Sequence, residues 1–63
     1  MKIKEKRIEK GLSQLELAIE IGVSQSTVAG WETGSVYPRI DKLLAMAKLF
    51  GCTVDELINK EGE

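Results

Sequence analysis

Only Gly22, Val23 and Ser24 separate two stretches that each read as a short helix, and this spacing restricts the fold more than any other feature. Upstream, the Ser13 hydroxyl can accept a free N–H of the following turn. Glu16, three residues on, can accept the N–H of Ser13 itself, so the pair opens a helix over residues 14–21. Downstream, Ser24 is a second N-cap and opens a helix over residues 25–32. Leu17, Ala18 and Ile21 share one face of the first helix, and Val28 and Trp31 fall three apart on the second. Small Ala18 lets the two approach closely. A turn this short, with a glycine in it, makes the helices cross at roughly 90–120°. The second helix then projects as a rigid rod whose exposed first turn is Ser24, Gln25, Ser26 and Thr27, all hydroxyl and amide.

The remaining punctuation predicts three more helices and no strand, since no segment alternates apolar and polar residues. A first helix over residues 2–10 carries Ile3 and Ile8 as apolar positions and stops at Gly11, which enters the left-handed region cheaply. Gly34-Ser-Val-Tyr-Pro38 reads as a loop, because Pro38 disfavours a helical conformation at Tyr37. A fourth helix over residues 40–50 places Ile40, Leu43, Leu44, Ala47 and Phe50 at helical spacing and ends at Gly51. Thr53 and Glu56 form another capping box, opening a last helix over residues 54–60 before a frayed tail at about 60–63. The expectation is an all-α, five-helix single domain over residues 1–63.

Composition excludes several function classes. A chain of 63 residues buries only roughly 60% of the surface its unfolded form exposes, which leaves no room for a large catalytic cleft. Cys52 is the one cysteine and there is no histidine, so neither an internal disulfide nor a zinc set can form. The same absences remove Ser-His-Asp and Cys-His arrangements, so no enzyme, metal or cofactor is expected. No apolar run approaches the ~20 residues that cross a bilayer, and no apolar stretch follows the Lys-rich start. These features predict a cytoplasmic chain with no membrane partner.

The ordered string Lys6-Arg-Ile-Glu-Lys-Gly-Leu-Ser-Gln14, Leu17-Ala18, Gly22-Val-Ser24, Val28, Trp31-Glu32 and Gly34, then the Pro38 loop and a helix ending Phe50-Gly51, spans nearly the whole chain. It resembles the repressor and Cro helix-turn-helix domains of lambdoid phages and their relatives among bacterial regulators and antitoxins (xenobiotic-response-element type). The resemblance implies a lambda-repressor-like DNA-binding fold. It puts Gln25 and Ser26 where base edges are reached, with Gln25 able to pair bidentately with adenine and the short Ser26 hydroxyl able to bind phosphate instead, while Thr27 beside them reads as a base contact, a phosphate contact or a surface residue. It makes Gln14 a phosphate contact from a helix N-terminus, and Ser24 either a phosphate contact or simply the cap. Arg7 and Glu32 are implied as a partly buried ion pair tying the first helix to the end of the third, with Trp31 packed on the core between them. Cys52, Thr53 and Val54 are implied at a dimer interface, though each also reads as core or cap. Ala29 and Gly30 depart from the pattern, because relatives carry larger polar or basic side chains there. Gly30 points to a close backbone approach to DNA, to relaxed base reading, or to an early end of the helix.

Charge is the counterargument. The chain carries nine Lys and Arg against ten Asp and Glu, and none of the nine lies between Gly11 and Pro38. Phosphate neutralisation must come from elsewhere. Lys6, among Lys2, Lys4, Lys6 and Lys10 of the first helix, is expected to supply it, with Arg39 and the backbone N–H groups of Gly34 and Ser35. The reading is a sequence-specific double-stranded DNA-binding transcriptional regulator, a repressor, acting as a homodimer on an inverted repeat with half-sites ~34 Å apart. The alternative is an antitoxin-like or protein-interaction module of the same fold. Its partner would find acidic surface and an apolar patch at Leu15 and Ile19, four apart on a face away from the core.

Overall fold

A computed structural model describes residues 1–58 and contains five helices: α1 (Ile3–Glu9), α2 (Gln14–Ile21), α3 (Gln25–Thr33), α4 (Ile40–Phe50) and α5 (Val54–Ile58). Among the described residues there is no strand. The all-α architecture matches the sequence expectation, and α2 and α4 match it in their bounds. In α1 the helix is shorter at both ends. Lys2 is the N-cap and gives its N–H to the Leu57 carbonyl at 2.8 Å, which fastens the start of α1 onto α5. The expected end of the last helix at residue 60 and the frayed tail at 60–63 lie outside the described residues.

The caps form as their chemistry requires. Glu16 N–H donates to Ser13 Oγ at 3.0 Å, and Ser13 N–H donates to Glu16 Oε1 at 2.8 Å. Thr53 and Glu56 make the same reciprocal pair at 2.8 and 3.0 Å. At the far end of α2, the Ala18 carbonyl accepts both Gly22 N–H at 2.8 Å and Val23 N–H at 2.9 Å, a Schellman closure. Gly22 sits at φ 84°, and a Cβ there would meet nothing within 4 Å. The glycine is required for its backbone conformation, not for space.

Every helix contributes to one core. Ile3, Leu17, Ala18, Val28, Trp31, Leu43, Met46, Ala47 and Leu57 are buried, with Val23, Phe50, Cys52 and Val54 packed against them. Three positions of the expected apolar pattern, Ile8, Ile40 and Leu44, are exposed instead. On α1, Ile8 lies five residues from Ile3 and hence about 140° around the helix from it. On α4 the inward stripe is Leu43, Met46 and Ala47, spaced i, i+3, i+4, so Ile40 and Leu44 fall to one side of it. Leu15 and Ile19 are 54% and 69% exposed, on the outer face of α2.

Of the readings open for Gly30, an early end of the helix is overturned. The helix does not stop early but continues to Thr33. The loop after it folds back, with Val36 N–H donating to the Gly30 carbonyl at 3.1 Å. A Cβ on Gly30 would lie 2.9 Å from Val36 Cγ2 and 3.2 Å from Val36 Cβ. The missing side chain is the seat of the protein's own loop.

Two outcomes are expected in thermal or urea unfolding. Gly22→Ala destabilises by about 1–2 kcal/mol, the cost of forcing an L side chain into the left-handed region. Gly30→Ala gains helix propensity but crowds Val36, so it is more favourable by about 1 kcal/mol in a Val36→Ala background than in the wild type. Additivity of the two changes would show that the loop does not rest on α3.

Candidate nucleic-acid interface

The exposed end of α3 is organised by its own cap. Ser24 Oγ accepts Thr27 N–H at 3.2 Å and lies 3.1 Å from Ser26 Oγ and 2.8 Å from Thr27 Oγ1. The three hydroxyls of Ser24, Ser26 and Thr27 are therefore clustered at the helix tip, with Thr27 half-buried and Ser24 and Ser26 exposed. Gln25 is exposed beside them, and its Nε2 donates to Gln14 Oε1 at 3.4 Å. Gln14 and Gln25 are the first residues of α2 and α3, so the tight crossing of those helices is what brings their amides together.

Behind the glutamines lies a shielded ion pair. Arg7 Nε donates to Glu32 Oε2 at 2.6 Å and Nη2 to Glu32 Oε1 at 3.2 Å. Arg7 Nη1 donates to the Leu12 carbonyl at 2.8 Å. The Arg7 and Glu32 side chains are only 11% and 4% exposed, and Gln14 Nε2 adds a third donor to the carboxylate, 3.0 Å from Oε1. Burial raises the Glu32 carboxyl, but the hydrogen bonds from Arg7 and Gln14, with the Arg7 and Lys4 charges, outweigh it and hold the group below its ordinary value of 4.5. Trp31, next to Glu32, is buried in the core.

The cationic candidates are unevenly placed. Lys6 Nζ lies 3.9 Å from Glu9 Oε1, and its charge also bears on Glu56 of α5. Lys4, one helical turn from Arg7, adds a favourable charge to Glu32 near the C-terminal end of α3. Arg39 caps α4 and is exposed, with Nε 4.0 Å from Asp41 Oδ1, a loose pairing. Ser35 Oγ lies 3.1 Å from Thr33 Oγ1 and donates to the Gly30 carbonyl at 3.4 Å. Gly34 does not offer an open donor, because its N–H goes to the Trp31 carbonyl at 3.3 Å to close α3.

Of the residues expected at a dimer interface, Cys52 and Val54 pack partly against the core and Thr53 caps α5. Among the described residues no three His, Cys, Asp or Glu side chains are grouped to hold a metal ion, and no helix is long and apolar enough to cross a membrane. What the sequence reading did not find is the link between Gln14 and Glu32. The signal was present, since a carboxylate at the end of one helix needs donors and Gln14 opens the helix it crosses.

The Glu32 carboxyl gives a pH dependence. A carboxyl held below its unfolded value stabilises the fold fully above that value and loses the contribution as pH falls through its folded one. Glu32→Gln is therefore expected to be clearly less stable than the wild type at pH 7, with the difference shrinking below about pH 4.5 in urea melts. A constant gap from pH 7 to pH 3 would mean that the ionised form is not what holds α1 to α3.

The helix-turn-helix family model matches residues 3–57. The HTH-type transcriptional activator BcrR of Enterococcus faecalis is 37% identical over 60 residues, covering 95% of this chain and 29% of that protein. The cryptic phage CTXphi transcriptional repressor RstR of Vibrio cholerae is 34% identical over 58 residues, covering 92% of this chain and 52% of that protein. The HTH-type transcriptional regulator AnsR of Bacillus subtilis is 37% identical over 60 residues, covering 95% and 52%. The chain thus spans about half or less of the length of these relatives. With a match that runs from α1 into α5 and the α2–α3 corner at its centre, the chain belongs to the Cro/CI-type helix-turn-helix family, a non-enzymatic family of DNA-binding domains.

Proposed function

We propose that residues 1–63 form one sequence-specific double-stranded DNA-binding domain of a transcriptional regulator, with α3 reading the major groove. The observation that carries this reading is the tip of α3, where an exposed glutamine and two exposed hydroxyls stand on a helix braced by α2 and by a shielded ion pair. Gln25 is the principal base contact, since an amide can give a hydrogen bond to adenine N7 and accept one from N6. Ser26 and Thr27 reach bases or phosphates nearby. Gln14, Ser24, Ser35 and Arg39 line the phosphates on either side. Lys6 of α1 adds a further phosphate contact, with Lys4 as a second cation on the same helix.

The domain acts as a homodimer on an inverted repeat, with Cys52, Thr53 and Val54 near the junction between copies, and works in the cytoplasm. With nine cationic side chains against ten anionic ones, a single domain gains little from phosphate attraction, and a second copy doubles the specific contacts. Repression by occupying an operator needs no chemistry from the chain, and its likeness to a protein named as a phage repressor favours that role. The likeness to a protein named as an activator makes activation the other outcome of a reporter assay. A second reading, an antitoxin-like or protein-interaction module, is favoured by the exposed apolar side chains Leu15 and Ile19 and by the acidic α2.

Selection from a random duplex pool at ~0.15 M salt, where nonspecific attraction is weak, tests the proposal. An enriched inverted repeat is the expected result, and a failure to enrich any sequence would move the function to a protein partner. On the selected site, Gln25→Ala is expected to cost about 1–3 kcal/mol at one base position. Arg39→Gln should instead weaken all sequences alike and flatten the salt dependence by about one unit of slope.

A further inference from the structure

Donor and acceptor identities along the Arg7, Glu32, Gln14 and Gln25 series leave only one sense for each amide. A carboxylate paired with a guanidinium is ionised and can only accept, so the Gln14 group that meets Glu32 must be its NH2. The Gln14 oxygen is then turned the other way, toward α3, where it accepts from Gln25 Nε2. With one Nε2–H committed to Gln14, Gln25 retains its other Nε2–H and its carbonyl oxygen. That is the donor and acceptor combination that matches adenine N7 and N6 in the major groove. A reversed Gln25 amide would set two carbonyl oxygens against each other.

We propose that Glu32 is a specificity-positioning residue: through Gln14 it fixes the sense of the Gln25 amide and so the base that Gln25 reads. The proposal rests on the DNA-binding reading above. Glu32 itself touches no base, because it is shielded behind Gln14 and bonded to Arg7. A free glutamine can present either end of its amide at little cost, so it discriminates poorly among bases. The ion pair removes that freedom without adding a side chain to the groove. The Glu32 carboxyl is held below its ordinary range by Arg7 and Gln14 against the effect of burial, so near neutral pH it remains the acceptor that the series requires.

The test uses two variants and two readouts. Glu32→Gln keeps the shape but lets the residue offer either an oxygen or an NH2. Gln14→Met breaks the link while leaving Arg7 and Glu32 paired, which guards against a variant that fails to fold. In the DNA-free protein, the side-chain amide resonances of Gln25 are expected to shift in both variants. On duplexes carrying each base at the Gln25 position, both are expected to lose about tenfold in preference for adenine, with preferences elsewhere unchanged. Gln25 resonances unmoved by either change overturn the proposal. So does a moved amide with adenine preference intact. A wild type that selects no duplex at all overturns the DNA-binding reading, and the specificity role with it, even where the amide moves.

Discussion

Three residues between α2 and α3 leave those helices no freedom to part, and the rest of the domain is arranged around the corner they make. The Ala18 carbonyl gathers two N–H groups as α2 ends, and Val23 turns back onto the core. Leu17, Ala18, Val28 and Trp31 fill the inside of the angle. The helices α1, α4 and α5 form the platform beneath it, and the Lys2 to Leu57 backbone bond joins the first of these to the last. A domain of this size has little apolar area to spend on rigidity, so the orientation of α3 depends on short connections and on backbone groups whose partners are set by geometry.

The Arg7 and Glu32 pair adds a polar clamp at the opposite end of α3 from its cap. Isolated surface ion pairs contribute little, but these side chains are largely withdrawn from water and use several donors in fixed directions. The guanidinium spans α1, the carbonyl of Leu12 and the end of α3, so one side chain registers three segments. The same carboxylate meets Gln14 at the start of α2. The core and the reading surface are thereby joined by hydrogen bonds of defined polarity, not by apolar contact alone.

Much of this was legible from local chemistry. Ser13 with Glu16, and Thr53 with Glu56, are reciprocal caps that need only three-residue spacing, and both formed. The bounds of α2 followed from its cap and Gly22, and those of α4 from the Pro38 loop and Gly51. Side-chain direction was less legible. The apolar pattern admitted Ile8, Ile40 and Leu44 alongside Ile3 and Leu43, and only packing decided which turned inward and that Met46 did. In the candidate site, Gln14, Gln25, Arg7 and Glu32 were each singled out, but their connection is a tertiary fact that depends on the crossing of α2 and α3. Lys6 and Lys4 are two residues apart and so about 200° apart around α1, and the charge of the first bears on Glu56 while that of the second bears on Glu32.

Gly30 has a consequence for anyone wishing to retarget this domain. The obvious way to enlarge the reading surface of α3 is to install a long polar or basic side chain one turn beyond Ser26, at Gly30. At that position the first carbon of such a side chain already meets Val36. Repertoire and loop conformation are therefore one design variable here. New recognition on α3 requires a remodelled Gly34 to Pro38 segment, whereas Gln25 and Ser26, on the far side of the cap, can be exchanged with that segment left as it is.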